Sequence, residues 1–184
     1  MTSPFLYYAG DRLTHAELMS ARLDGDVVEV GEAYMPADAV ETAEIRAGSL
    51  RDLGGDKLAF THESAAWVYG ALEDPPKRHS LQRYAPTRPH HILDARVRYR
   101  DVRLPAADGR AMAGVVVSTP VRTVVDLLRD RVFRDGASPA TVETLLRNDA
   151  TLAAAALRWS AQAAPLPHKR AAVAFLREWE LRTR

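Results

Sequence analysis

The chain has 184 residues, 47% of them hydrophobic, and a formal net charge of +1. That is enough for one or two domains with a core that needs no staple or cofactor. Cysteine is absent, which excludes disulfides, thiolate nucleophiles and thiolate-bound zinc and fits a reducing cytoplasm. The opening MTSPFLYYAGDR lacks a basic segment followed by an apolar run, and no stretch of about 18 apolar residues occurs, so a secretory leader and a membrane span are not expected. The small net charge hides an asymmetry: residues 1–76 carry 5 basic and 14 acidic side chains, a net −9, whereas the remainder carries a net +10. The basic part is suited to a polyanion, or its charge is simply solvated surface.

Leu13, Ala16, Met19 and Leu23 recur at helical spacing, with Thr14 as a cap and Gly25 just past the end. The exposed side of that helix carries His15, Ser20 and Arg22. Asp26–Val30, a Gly31-Glu32 turn and Ala33–Met35 before Pro36 predict a two-stranded ribbon. A helix followed at once by a ribbon is the order of the groove-reading helix and wing in a winged helix-turn-helix. A second helix is expected from Asp38, paired with Glu41 as a capping box, through Leu53, with Gly54-Gly55 ending it. Lys57–Phe60 reads as a short strand, and Thr61 caps a helix that stops at Gly70.

From Ser80 to Val117 the pattern becomes β-like: Leu81–Tyr84, Ala95–Val102 and Gly114–Val117, with Asp108-Gly109 as a turn before the last. Thr119-Pro120 and Ser138-Pro139 each start a helix, and Leu152–Ala163 and His168–Leu181 supply two more. The expected fold class is α+β: a shortened winged-helix lobe over residues 1–55, then residues 56–184 with a small antiparallel sheet and carboxyl-terminal helices.

Three segments carry a resemblance: Leu13-Thr-His-Ala-Glu-Leu through Gly31-Glu-Ala-Tyr-Met-Pro36, Thr61-His-Glu-Ser-Ala-Ala-Trp-Val-Tyr-Gly70, and Ser118-Thr-Pro-Val-Arg-Thr-Val-Val-Asp-Leu-Leu128. Together they resemble the AbiEi family of antitoxins and transcriptional regulators of type IV toxin–antitoxin systems. The resemblance covers roughly residues 10–130. It implies an amino-terminal winged helix on operator DNA, a following domain that supports repression and toxin neutralisation, and a nucleotidyltransferase-like toxin as neighbour. The sequence departs from that pattern in its ribbon, where Asp24, Asp26, Glu29 and Glu32 replace an arginine-rich turn, and an acidic wing repels phosphate. The segment before Leu13 is also too short for the usual preceding helices. Many relatives carry a carboxyl-terminal nuclease-like extension, and none is expected within these residues.

Lys77, Arg78, Arg83, Arg88, Arg96, Arg98, Arg100 and Arg103 against Asp94 and Asp101 give a net +6 over 27 residues. On one strand Arg96, Arg98 and Arg100 share a face and could track phosphates, or be an ordinary solvated strand face. The DNA-contact set expected from sequence is therefore Arg12, Thr14, His15, Ser20, Arg22, Lys77, Arg78, Arg96, Arg98 and Arg100. His62-Glu63-Ser64 lacks a third catalytic partner and reads as helix-start structure; His79, His90 and His91 lack metal-ligand spacing. Arg122 and Asp126, four apart, read as an intrahelical ion pair, and Trp67, Trp159 and Trp179 as core or interface filler. No catalysis, cofactor or metal is expected. The functional expectation is an antitoxin-type regulator that binds operator DNA, neutralises the toxin, or does both; the alternative is an interaction module whose acidic lobe covers the toxin's basic active site without binding DNA.

Overall fold

A computed structural model describes residues 5–55, 57–88, 94–130 and 139–183. His90, His91 and Ser138 lie outside the described residues. Helix α1 (His15–Asp24) starts on a complete capping box, in which Thr14 accepts from the Glu17 backbone and Glu17 reaches back to Thr14, and it ends on Gly25 at φ 85°. Strands β1 (Val27–Val30) and β2 (Ala33–Pro36) form the expected antiparallel ribbon. Tyr7 adds a short antiparallel bridge to Tyr34 at its edge. One ribbon face holds α1 through Leu18, Val27 and Tyr34. The other face contributes Val30, Ala33 and Met35 to the main core.

The second helix begins later than the Asp38 cap predicts. Helix α2 spans Ala43–Ser49 with Thr42 as its N-cap, and a break at Leu50 separates it from α3 (Arg51–Gly54). The reason is local competition: Thr42 accepts from the Ile45 backbone, while Glu41 bonds Arg46 at 2.6 Å instead of reaching back to Asp38. Arg46 in turn lies 5.2 Å over the Trp67 ring and donates to the carbonyls of Trp67 and Leu72. It thereby satisfies the end of α4 (His62–Val68).

The larger sheet runs β5 (Val97–Arg103), β4 (His79–Arg83), β3 (Leu58–Phe60), β7 (Val115–Ser118), β6 (Gly109–Met112). It is mixed and not antiparallel throughout. β3 pairs antiparallel with β4 and β6 with β7, but β3 lies parallel to β7 and β4 parallel to β5. Alternation of apolar residues is the same in either direction. Direction is set by the return connection, and the stretch between β4 and β5 is long enough for a crossover. Asp108-Gly109 is not the turn: a 3-10 turn at Ala106–Asp108 leads into β6, and the hairpin reverses at Ala113-Gly114, both at positive φ. Alanine at the first turn position leaves no sequence signal for that reversal.

Helices α5 (Pro120–Asp130), α6 (Pro139–Asn148), α7 (Leu152–Gln162) and α8 (Lys169–Arg182) follow as predicted within a residue or two. They share a second apolar cluster built on Val124, Val125, Leu128, Leu145, Ala156 and Leu176. The first cluster joins Leu6, Tyr8, Val30, Met35 and Leu50 to Phe60, Trp67, Leu81 and Val117, so the core runs across residue 55.

Candidate functional site

Helix α1 buries only Leu18. Arg12, Thr14, His15, Ser20 and Arg22 are all exposed, as the groove-reading expectation requires. Their chemistry is less free than their exposure. Thr14 is spent on the capping box, and Arg22 lies 3.5 Å from Glu29 of the ribbon. A wing would also have to project, and this ribbon does not project at its turn. Gly31 sits at φ 54°; a Cβ there would fall on the Ser49 hydroxyl and lie 3.0 Å from the Trp67 ring. Glu32 beside it is ion-paired with Arg96. The turn is wedged into the core, and the end that protrudes is the open one, where Asp24, Asp26, Ala37 and Asp38 are exposed.

The arginine row expected on one strand face is not free for phosphate. Arg96 precedes β5 and holds both Asp94 and Glu32. The Arg96 hydrogen bonds keep the Asp94 carboxyl down at about 2. Arg100 grips Asp130 with both terminal nitrogens, and only Arg98, half-buried opposite Ser80, makes no ion pair among the described residues. Lys77 and Arg78 are exposed, Arg78 donating to the Val97 carbonyl at 2.9 Å. Arg83 and Arg88 share Asp101 at 3.3 and 2.9 Å. Arg83, Arg88, Arg96 and Arg100 have each found a carboxylate within the chain because the segment folds back on its own acidic neighbours, whereas Lys77, Arg78 and Arg98 have no such partner among the described residues.

The segment Thr61–Ser64 works as a set of stitches. Thr61 occupies the N-cap position of α4 without capping it; its hydroxyl faces His62 Nδ1 at 2.9 Å. Ser64 accepts from the Ser80 backbone at 2.9 Å and meets His79 Nδ1 at 3.2 Å, tying α4 to β4. His79 is packed between Phe60 and Trp67, and burial lowers its pKa to about 4. A histidine so enclosed cannot serve a metal at the surface. Among the described residues no group of three or more histidine or acidic side chains is placed to hold one. His62 is also buried, at a left-handed φ of 53°, with Nε2 3.7 Å from Asp130; burial lowers its pKa too.

Arg122 is more than one half of an intrahelical pair. It bonds Asp126 at 2.7 Å and Asp108 at 2.8 Å, and Asp108 also accepts from the Trp159 indole at 2.8 Å. The guanidinium lies 5.4 Å over that ring. Burial alone disfavours its charge, but Asp126 and Asp108 outweigh it and hold the arginine above its ordinary value. Arg129 completes Asp126 at 2.8 Å. Asp108 and Trp159 were not legible as partners of Arg122, because they stand 14 residues before it and 37 after it in the chain. The network clamps the entry to β6, α5 and α7 together.

Residues 58–177 match the family model for the AbiEi antitoxin C-terminal domain. The chain belongs to the AbiEi antitoxin family. Comparison with curated proteins found no match. The matched part of this AbiEi chain begins at β3 and ends within α8, so it contains the Arg122 network and the Thr61 stitches. The helix and ribbon precede it. An antitoxin role follows from the family. Among the described residues no helix is long and apolar enough to cross a membrane.

Proposed function

We propose that this AbiEi antitoxin works by protein contact in the cytoplasm, binding a nucleotidyltransferase-like toxin through the acidic helix and ribbon and performing no catalytic step. One observation carries the reading. Arg22, Arg96 and Arg100, three of the arginines that a phosphate backbone would use, are held by carboxylates of the same chain, whereas Asp24, Asp26, Asp38 and Glu44 have no ion-pair partner among the described residues. Affinity for duplex DNA comes largely from neutralising phosphate charge, and a surface of this sign opposes it. An enzyme that transfers nucleotidyl groups must hold a triphosphate and so offers the lysines and arginines that such a surface complements.

Operator binding is the second reading, favoured by the exposure of α1: Arg12, His15 and Ser20 are open to solvent with Lys77 and Arg78 as further bases. Two measurements separate the readings. Titration calorimetry with the nucleotidyltransferase-like protein encoded beside this chain should give a 1:1 complex. A gel-shift series on the chain's own promoter should give no sequence-specific retardation at physiological salt. Specific retardation that weakens when Arg96, Arg98 and Arg100 are changed together to Ala, with no toxin complex, would reverse the assignment.

A further inference from the structure

Strands β4 and β5 run parallel, and their register, His79 beside Val97 and Ser80 beside Arg98, puts Arg78 beside Arg96 where the pair begins. Neighbouring strands lie about 4.8 Å apart and alternate residues of one strand about 7 Å apart, so the backbones of Arg78, Arg96 and Arg98 are adjacent. A direct contact agrees: Arg78 donates to the Val97 carbonyl at 2.9 Å. Lys77 is next to Arg78 in the chain, and both are exposed. Four bases therefore meet at one corner of the larger sheet, of which β5 is an edge. Lys77, Arg78 and Arg98 have no carboxylate partner among the described residues.

Arg96 differs from the other three. Its Nε and one terminal nitrogen bond Asp94 at 3.0 and 2.7 Å, and its other terminal nitrogen bonds Glu32 of the ribbon turn. The guanidinium fork that would hold a phosphate is filled. Asp94 is a local partner, which also accepts from the Arg96 backbone at 2.8 Å. Glu32 is brought there by the fold, 64 positions away in the chain. It arrives on a fixed turn, because Gly31 beside it is seated against Ser49 and Trp67. A phosphate that took Arg96 would leave the Glu32 carboxylate next to it as a like charge. Yet the Arg96 side chain is 54% exposed, and an ion pair in water is weak. Such a contact holds a site shut without abolishing it.

We propose that the paired starts of β4 and β5 form a latent site for the phosphates of duplex DNA, with Lys77, Arg78 and Arg98 as its open bases. Glu32 is an internal substitute for phosphate that keeps Arg96 closed. The site reads backbone charge and no base edges, so it is independent of sequence. It goes beyond the protein-contact reading and does not rest on it: a closed corner is compatible with no specific retardation of the chain's promoter.

The test follows the fluorescence anisotropy of a short labelled duplex of arbitrary sequence over a salt series, with the full chain and four variants. Glu32→Gln with Asp94→Asn opens the corner and should bind about threefold to tenfold more tightly. Its logarithmic salt slope should steepen by about one, the contribution of one further phosphate contact. Glu44→Gln with Glu180→Gln changes the net charge equally on α2 and α8 and should leave the slope as it is. Adding Arg96→Gln to the opened variant should cancel both gains. Lys77→Ala, Arg78→Ala and Arg98→Ala together should weaken binding and flatten the slope. Equal gains in the two acid variants, or a gain that survives Arg96→Gln, would overturn the closure by Glu32. Unchanged affinity in the triple alanine variant would overturn the site itself. Tighter binding of single-stranded RNA of the same length would assign the corner to another polyanion and overturn the choice of duplex. No toxin is present in these measurements, so failure of the toxin titration above leaves their outcome intact.

Discussion

Arg96 and Arg122 each meet two carboxylates, yet their surroundings give the same pairing opposite meanings. Arg96, with 54% of its side chain exposed, holds Asp94 and Glu32 in water. Arg122, with 5% exposed, holds Asp126 and Asp108 inside the protein under the Trp159 ring. In water the pair changes the surface: it cancels a cation that DNA binding would have used and pins the ribbon turn. In the interior it fixes structure, because removing one partner strands a charge where solvent cannot reach it.

The sharpest way to probe that contrast is Arg122→Met, which leaves Asp126 and Asp108 buried without their common cation. It should destabilise by about 3–5 kcal/mol in urea unfolding. Gly31→Ala is next. It combines the left-handed backbone with a Cβ against Ser49 and Trp67 and should cost about 2–4 kcal/mol. Gly25→Ala has a similar backbone penalty but nothing within 4 Å, so about 1 kcal/mol is expected. A difference near zero between the two glycines would mean that the turn is not packed as described.

Acid supplies a third contrast. Buried His79 stays neutral down to about pH 4, whereas in the unfolded chain it takes a proton near the ordinary histidine value of 6.5. Between those values the unfolded state binds more protons, so stability is full above pH 6.5 and falls as pH drops towards 4. The loss approaches about 3 kcal/mol from this group. The lowered pKa of His62 acts in the same direction. His79→Gln should flatten the curve; an unchanged slope would remove His79 as its source. The smallest effect belongs to Arg96→Ala, which should lower the thermal midpoint by at most about 3 °C and diminish as salt is added.

Much of the local structure could be read from residues alone. Thr14, Gly25, Thr119-Pro120 and Pro139 announced helix ends that the fold keeps, and Gly31-Glu32 announced the ribbon. Such signals act over three or four residues, where backbone hydrogen bonding and φ preference dominate. The second helix shows the limit of the same logic. Asp38 with Glu41 and Thr42 with Ile45 are both plausible starts, and Arg46 decides by taking Glu41 for itself while reaching across to Trp67.

The candidate site was legible in composition but not in arrangement. The acidic run at Asp24–Glu32 and the later basic cluster are visible as charges. Whether Arg96 meets a phosphate or Glu32, 64 positions away, depends on the fold bringing the ribbon turn to the start of β5. The same holds for Leu23 and Val40, which look like continuations of apolar helix stripes and turn out to be in solvent. By itself the amino-acid sequence determined where helices begin, where the ribbon turns and which family the chain resembles. Only the tertiary structure decided which ribbon end is buried, which strands run parallel and which charges remain unpaired, because those depend on contacts between residues far apart in the chain, and local spacing carries no record of them.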